Sequence, residues 1–264
     1  MKNIEGKYAL VTGASSGIGW DIAKILGEKG CNLIIVARRE DKLKELQKLI
    51  TTNNKVDIKT ISMDLSVQES PRALYEKVKQ FGINIDILVN NAGYAIHDMF
   101  LNIPWENEKS MLNLLILNLV HLTKLFAKDM VKRDFGYILQ ISSVGAFHPV
   151  PNYTTYSAAK SFVLNFGNSL NYELKKTNVS CSVLCPGVTE TEFQKVVGEQ
   201  KETLFQRLTK MPSRRVAQIG IKNMLKGRFY TGAGVVNSFN AKIMSLLPRR
   251  ISAAISYWAT GVIT

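Results

Sequence analysis

Short apolar runs alternate with longer stretches of helical periodicity along most of this chain. Tyr8-Ala9-Leu10-Val11 is the first run. Residues 18–29 come next with apolar positions three and four apart, and Gly30 closes that helix. Leu33-Ile34-Ile35-Val36 is the second run, and residues 40–50 form a charged helix with Leu43, Leu46 and Ile50 on one face. Residues 56–63, 85–89, 137–141 and 179–184 read as further strands. Helices are predicted from Pro71 to about residue 81, after Pro104, and over residues 156–176. Strands that are apolar throughout, separated by helices, imply a parallel sheet covered on both faces. With right-handed crossovers the expectation is an α/β fold, a doubly wound parallel sheet in a single domain of residues 1–264. Ligands bind such sheets beyond the carboxyl ends of the strands.

Two local motifs carry chemistry. Thr12-Gly13-Ala14-Ser15-Ser16-Gly17-Ile18-Gly19 joins the first strand to the first helix. Glycines there allow a tight turn and a close approach to a pyrophosphate, whose charge the helix N-terminus favours. The spacing is GxxxGxG rather than GxGxxG. Farther on, Tyr156 and Lys160 are i and i+4 and so share a helical face. A free phenol ionises near about pH 10, and an adjacent ammonium favours the phenolate and lowers that value. The pair is suited to acid/base work. The histidines His97, His121 and His148 lack metal spacing, and Cys31, Cys181 and Cys185 fall inside apolar runs. No metal site is expected, and the cysteines read as buried, reduced thiols.

These motifs together, TGASSGIG, the Asn90-Asn91-Ala92-Gly93 run, Tyr156-Ser157-Ala158-Ala159-Lys160 with Ser143 thirteen residues before it, and Pro186-Gly187, resemble the short-chain dehydrogenase/reductase family over residues 6–192. The resemblance implies a Rossmann-like fold and an oxidoreductase that moves a hydride between a nicotinamide and a carbonyl or alcohol. It implies Ser143, Tyr156 and Lys160 as catalytic residues, with Ser143 holding the substrate oxygen and Lys160 also gripping the nicotinamide ribose. Ser142 is expected to be structural. Cofactor contacts are implied for Gly13, Ser15, Ser16, Gly17, Ile18 and Gly19. They are implied also for Asp64 and Leu65 beside adenine, for Asn91, Ala92 and Gly93 beside the adenine ribose, and for Pro186, Gly187, Thr189 and Thr191 near the nicotinamide.

The second strand ends Val36-Ala37-Arg38-Arg39, where a preference for NAD would place an acid. Arginine matches a 2′-phosphate bidentately, so NADP(H) is the expected cofactor, with Arg38 and Arg39 near the phosphate and Arg38 the better candidate. One position departs from the family: the Asn that completes its proton relay falls on Leu115 here. Asn118 lies about 60° away on an ideal helix and is expected to substitute, or the relay is weakened. Asn113 lies on nearly the opposite face.

The net charge of +13 is uneven. Residues 195–264 hold 12 Lys/Arg against Glu199 and Glu202, a net +10 that leaves +3 for the first 194 residues. A solvated surface accounts for such a run, as does attraction to a membrane surface, an acidic carrier protein or a phosphorylated substrate. Residues 192–211 fall where the family has its substrate lid, with the last strand expected before residue 236. The tail, 237–264, is apolar and basic together, and Pro248 should break it into two helices. Packing against the body is favoured over an interfacial anchor. Met1-Lys2-Asn3 does not read as a signal peptide, and the 14-residue charge-free run 251–264 is shorter than the ~20 residues a spanning helix needs. The expected location is the cytoplasm, with contact to a membrane surface left open. The expected partners are a small apolar carbonyl/alcohol substrate and further copies of this chain, not nucleic acid. A 3-oxoacyl-thioester reductase is the main rival within the enzyme class, an epimerase or dehydratase is disfavoured by length and glycine spacing, and a non-enzymatic NADP(H) sensor is the rival outside it.

Overall fold

The computed structural model describes residues 3–192, 197 and 209–260. Its elements match the alternation of the sequence. β1 (Tyr8–Thr12), α1 (Gly17–Glu28), β2 (Asn32–Ala37), α2 (Glu40–Asn53), β3 (Ile58–Ser62), α3 (Ser70–Gln80) and β4 (Ile87–Asn90) form the first half. The second half begins with α4 (Trp105–Leu112), a π turn (Asn113–Leu117) and α5 (Asn118–Lys132), one continuous helical run. β5 (Gly136–Ile141), α6 (Thr154–Glu173), β6 (Val179–Cys185), β7 (Thr189–Glu190), β8 (Met211–Pro212), α7 (Ser213–Met224), β9 (Tyr230–Gly232), α8 (Val235–Leu246) and α9 (Arg249–Thr260) complete the described residues.

Seven strands form a parallel sheet in the order β3-β2-β1-β4-β5-β6-β9, the doubly wound Rossmann-like arrangement, and β7 and β8 pair as a separate two-stranded ribbon. Leu10 lies level with Ile34 on one side and Leu88 on the other. Leu10, Ile34, Leu88 and Ile138 point to a core completed by Leu74, Leu122, Phe126 and Met130. Their chain neighbours Val11, Leu33, Ile35, Val89 and Leu139 point to a second core under α1, α2 and α7. Because both faces are covered, no strand needs a polar alternate, which explains the unbroken apolar runs. The helical run from Trp105 to Lys132 is long and apolar enough to cross a membrane by length and composition. Its Leu119, Leu122, Phe126 and Met130 are buried, the last three in the core beside the sheet. All three cysteines are buried and free.

The order reverses between β1 and β4, so the chain leaving β1 and the chain leaving β4 diverge at their carboxyl ends. A crevice opens at such a switch point, and the glycine turn, the Asn90–Gly93 run and the residues after β5 and β6 all gather at that end of the sheet.

Candidate active site

The glycine turn is held from beneath by one threonine and one asparagine. Thr12 Oγ1 donates to the Val89 carbonyl (3.1 Å) and accepts the backbone N–H groups of Asn91 (3.0 Å) and Ala92 (3.1 Å). Asn91 Nδ2 donates to the Thr12 and Gly13 carbonyls at 2.9 and 3.1 Å. Gly13 has φ +66°, and a Cβ there would sit 2.7 Å from Asn91 Nδ2, so only glycine fits this clamp. Asn91 therefore supports the turn through its side-chain N–H groups. Asn90 lies deeper and donates to Thr123 Oγ1 (2.9 Å) and Gln140 Oε1 (3.1 Å).

Helix α1 begins after Ser16 with no side-chain cap, so its first amides are left for an anion. They border an open cleft of about 560 Å³ lined by Ser15, Ser16, Gly17, Thr191 and Glu192 among others. Thr191 lies directly against Gly17, where a Cβ would come within 2.7 Å of its methyl group. Pro186, Gly187 and Thr189 stay on the β6 side: the Pro186 carbonyl accepts the Val144 N–H (2.8 Å), and Thr189 Oγ1 donates to Gly187 O (2.9 Å). At the end of β2 the two arginines differ. Arg39 donates to Ser15 Oγ (3.2 Å) and to Glu192 Oε2 (2.8 Å), spanning the mouth of the cleft. Arg38 is exposed, and its guanidinium has no hydrogen bond or ion pair among the described residues. Asp64 Oδ1 accepts the backbone N–H and the hydroxyl of Ser66 at 2.9 and 2.7 Å, an Asx-type turn that fixes the loop after β3. The open helix amides and the exposed Arg38 fit the phosphates of a nicotinamide dinucleotide.

Ser143, Tyr156 and Lys160 come together at the carboxyl end of β5. Ser143 lies just past β5 and caps the turn Val144–Ala146, its Oγ accepting the Gly145 N–H at 3.1 Å. Its hydroxyl is also hydrogen-bonded to the Tyr156 phenol. Lys160 Nζ lies 5.6 Å from the Tyr156 ring centroid and donates to the Ile141 carbonyl at 2.8 Å. Ser142 Oγ donates to the Lys160 carbonyl (2.7 Å), tying α6 to the strand end.

Burial, not the ammonium, governs the phenol. Desolvation pushes the Tyr156 pKa well above the usual phenol value, and the Ser143 hydrogen bond offsets only part of this. The expected lowering of the phenol pKa is thus outweighed by burial. The ammonium is itself desolvated and pushed down to about 8, and it points at a backbone carbonyl rather than the phenolic oxygen.

Asn118 is a correction. Its Nδ2 donates to the carbonyls of Leu65 (2.7 Å) and Val67 (2.9 Å), so the amide fastens α5 to the loop after β3 and is not offered to Lys160. The π turn Asn113–Leu117 causes this. It inserts an extra residue into the helix and re-phases every later position, so angles counted on an ideal 3.6-residue helix fail past it. Leu115 occupies the inward position. It packs with Met111 and Ala159, and a Cβ on Gly93 would lie 2.8 Å from its Cδ2 and 3.7 Å from Lys160 Nζ.

An aromatic chain leads outward from the phenol and was not legible from local motifs. Tyr153 stands 6.2 Å from Tyr156, and His97 stands 4.7 Å from Tyr153, both by ring centroids. Burial raises the Tyr153 phenol to about 12 and lowers both His97 and His148. The i, i+3 spacing of Tyr153 and Tyr156 was the only signal available for this wall. The lid expected over residues 192–211 falls almost entirely outside the described residues.

The parallel sheet, the glycine turn at its switch point and the serine, phenol and ammonium beside it define a dinucleotide-dependent oxidoreductase. The chain matches the short chain dehydrogenase family over residues 7–202 and belongs to that family. Among its relatives, very-long-chain 3-oxoacyl-CoA reductase of Rattus norvegicus is 34% identical over 255 residues, 93% of this chain and 77% of that protein. The protein of the same name in Mus musculus is 33% identical over 253 residues, 92% and 76% of the two chains. Among solved structures, a short-chain dehydrogenase from Sphingobium yanoikuyae in complex with NADPH superposes with TM-score 0.81 at 26% identity, covering 92% of this chain and 96% of the other. A 7beta-hydroxysteroid dehydrogenase shares the fold with TM-score 0.87 at 19% identity, covering 96% and 97%.

Proposed function

We propose that this oxidoreductase is an NADPH-dependent reductase of a carbonyl on an apolar small molecule, with 3-oxoacyl thioesters the first substrate class to test. The observation that carries the reading is the half-buried Tyr156 phenol, hydrogen-bonded to Ser143 with Lys160 behind it. A phenol whose pKa is raised holds its proton at neutral pH, which suits a donor to a carbonyl oxygen better than a base for an alcohol. Ser143 and Tyr156 orient that oxygen. Tyr156 releases its proton to it, and the Lys160 ammonium stabilises the phenolate left behind. The bound nicotinamide would supply the hydride to the carbonyl carbon. Leu115 and Ala159 close the inner wall with apolar surface, which keeps water from Lys160.

Support for NADP over NAD comes from the end of β2. No acid is present there to accept from ribose hydroxyls, Arg39 is engaged by Ser15 and Glu192, and Arg38 remains exposed for a 2′-phosphate. The thioester class is favoured by the names of the two mammalian relatives. A homo-oligomer through α5 and α6 is supported by the exposed Leu117 in the π turn before α5, Val131 on α5, and Phe162 and Tyr172 on α6.

The test is NADPH and NADH oxidation with 3-oxoacyl thioesters of graded chain length and a panel of apolar ketones. Turnover should favour NADPH, and Arg38→Ala should weaken NADPH about 10- to 100-fold while leaving NADH nearly unchanged, the worth of a charge-assisted contact. Equal use of both cofactors with no effect of Arg38→Ala would defeat the NADP reading. Tight NADPH binding without turnover on any carbonyl would favour the sensor.

A further inference from the structure

Helix α9 is inside out, and α8 before it leaves large apolar side chains outside. In α9 the residues turned to the body are Ser252 and Ser256, both buried, while Ile251, Ala254, Ile255 and Trp258 face solvent. In α8 Ala241 and Met244 are buried, and Phe239, Ile243 and Leu246 face out. The large apolar members, Ile251, Ile255 and Trp258 in α9 and Phe239, Ile243 and Leu246 in α8, recur at i, i+4 and i+7 and so fill an arc of about 60° at 100° per residue. The sequence favoured packing for this tail because apolar helical stripes are usually core. Here large apolar stripes are left outside on both helices, while Ser252 and Ser256 of α9 and Ala241 and Met244 of α8 turn inward.

Charge accompanies them. Lys242, Arg249 and Arg250 are exposed on the same two helices, within a stretch of sequence, residues 195–264, whose net charge is +10. The described part of the tail carries no carboxylate after residue 210. A second copy docked face to face would bring these cations together, whereas an anionic lipid surface complements them.

The tail also borders the catalytic residues. α8 packs on the turn Val144–Ala146 just past Ser143. At the end of α9, Thr260 Oγ1 donates to the Pro151 carbonyl at 3.5 Å, and the Thr260 backbone bonds His97. On the other side of the same loop, Asp98 N–H donates to the Asn152 carbonyl at 3.0 Å, and exposed Met99, Phe100 and Leu101 come directly after. Exposed apolar side chains therefore flank the loop in front of Tyr156 from two directions.

The geometry points to α8 and α9 as a docking surface for an anionic lipid bilayer. The stripes enter the headgroup boundary, Lys242, Arg249 and Arg250 meet lipid phosphates, and the loop before Tyr156 lies against the membrane, where apolar carbonyl compounds partition. The surface does not depend on which carbonyl is reduced, and its primary readout is vesicle binding rather than turnover.

The full chain is floated with vesicles of phosphatidylcholine alone and of phosphatidylcholine mixed with phosphatidylglycerol, at low and high salt. It should float with the mixed vesicles, less at high salt, and Trp258 fluorescence should shift to the blue. Trp258→Phe should remove most of that shift and keep flotation, which identifies the inserting side chain without risk to the fold. Ile255→Glu with Trp258→Glu should abolish flotation while NADPH-dependent turnover of a soluble ketone and the melting temperature are kept. Arg249→Ala with Arg250→Ala should weaken binding to mixed vesicles about 30-fold, the effect of two juxtamembrane cations. Absence of flotation at low salt overturns the proposal, as does flotation that survives the two Glu substitutions. A dimer lost in that double variant, with no vesicle binding by the parent chain, also overturns it and assigns the face to a second copy.

Discussion

Helix α6 buries a lysine at 5% exposure, while α9 leaves a tryptophan at 77% exposure. Both depart from the inside–outside rule, in opposite senses. In α6 the charged group is buried beside the Tyr156 ring and satisfied by the Ile141 carbonyl. Its desolvation is unfavourable for folding, and a buried cation kept in that way is characteristic of a site built for chemistry. In α9 apolar surface is left in water while serines pack inward. That too is unfavourable for the free chain, and it marks a face made for something other than water. A helix can be amphipathic in either orientation, and only the burial pattern says which face is the working one.

Tyr156→Phe is the sharpest way to break the α6 half of this contrast. It keeps the ring and removes the proton donor, so turnover should fall about 10²- to 10⁴-fold with NADPH binding retained. Comparable turnover by Tyr156→Phe, measured as NADPH oxidation, would place the donor elsewhere. Next in size is a paired stability measurement. Leu164→Ala on the buried side of α6 should cost about 2–5 kcal/mol, whereas Ile255→Ser on the outer stripe of α9 should change stability by no more than about 0.5 kcal/mol. Equal losses in urea unfolding would mean that the α9 stripe is covered in solution. A smaller effect is expected from Leu115→Asn. A polar group beside Lys160 eases its desolvation, so the pKa of Lys160 should rise and the alkaline limb of the rate profile should move to higher pH. An unmoved limb would mean that Leu115 does not set the surroundings of Lys160.

The parts of the site that could be read in advance were those set by spacing along one element. The glycine turn comes after a strand and opens a helix. Tyr156 and Lys160 are one turn apart, and Ser143 ends the neighbouring strand. The remainder required knowing what else is packed nearby. The π turn at Asn113–Leu117 shifted the phase of α5 and sent Asn118 to Leu65 and Val67. The phenol pKa depends on desolvation by everything packed around the ring, which no i, i+4 pairing reveals. Tyr153 and His97 reach the site from separate loops. The apolar stripes of α8 and α9 were visible as stripes, but helical periodicity alone cannot say whether a stripe faces inward.

The decisive measurement is the pH dependence of kcat/KM for carbonyl reduction. Lys160 is a base with its folded value pushed down to about 8, so its ammonium is present below that pH and lost above it, while the Tyr156 phenol keeps its proton throughout. The expected profile is flat through neutrality and falls above about pH 8 as one proton is lost. A rate that rises through the same range would mean that an ionised phenol is the active form, and would contradict the assignment of Tyr156 as a neutral donor backed by a buried ammonium.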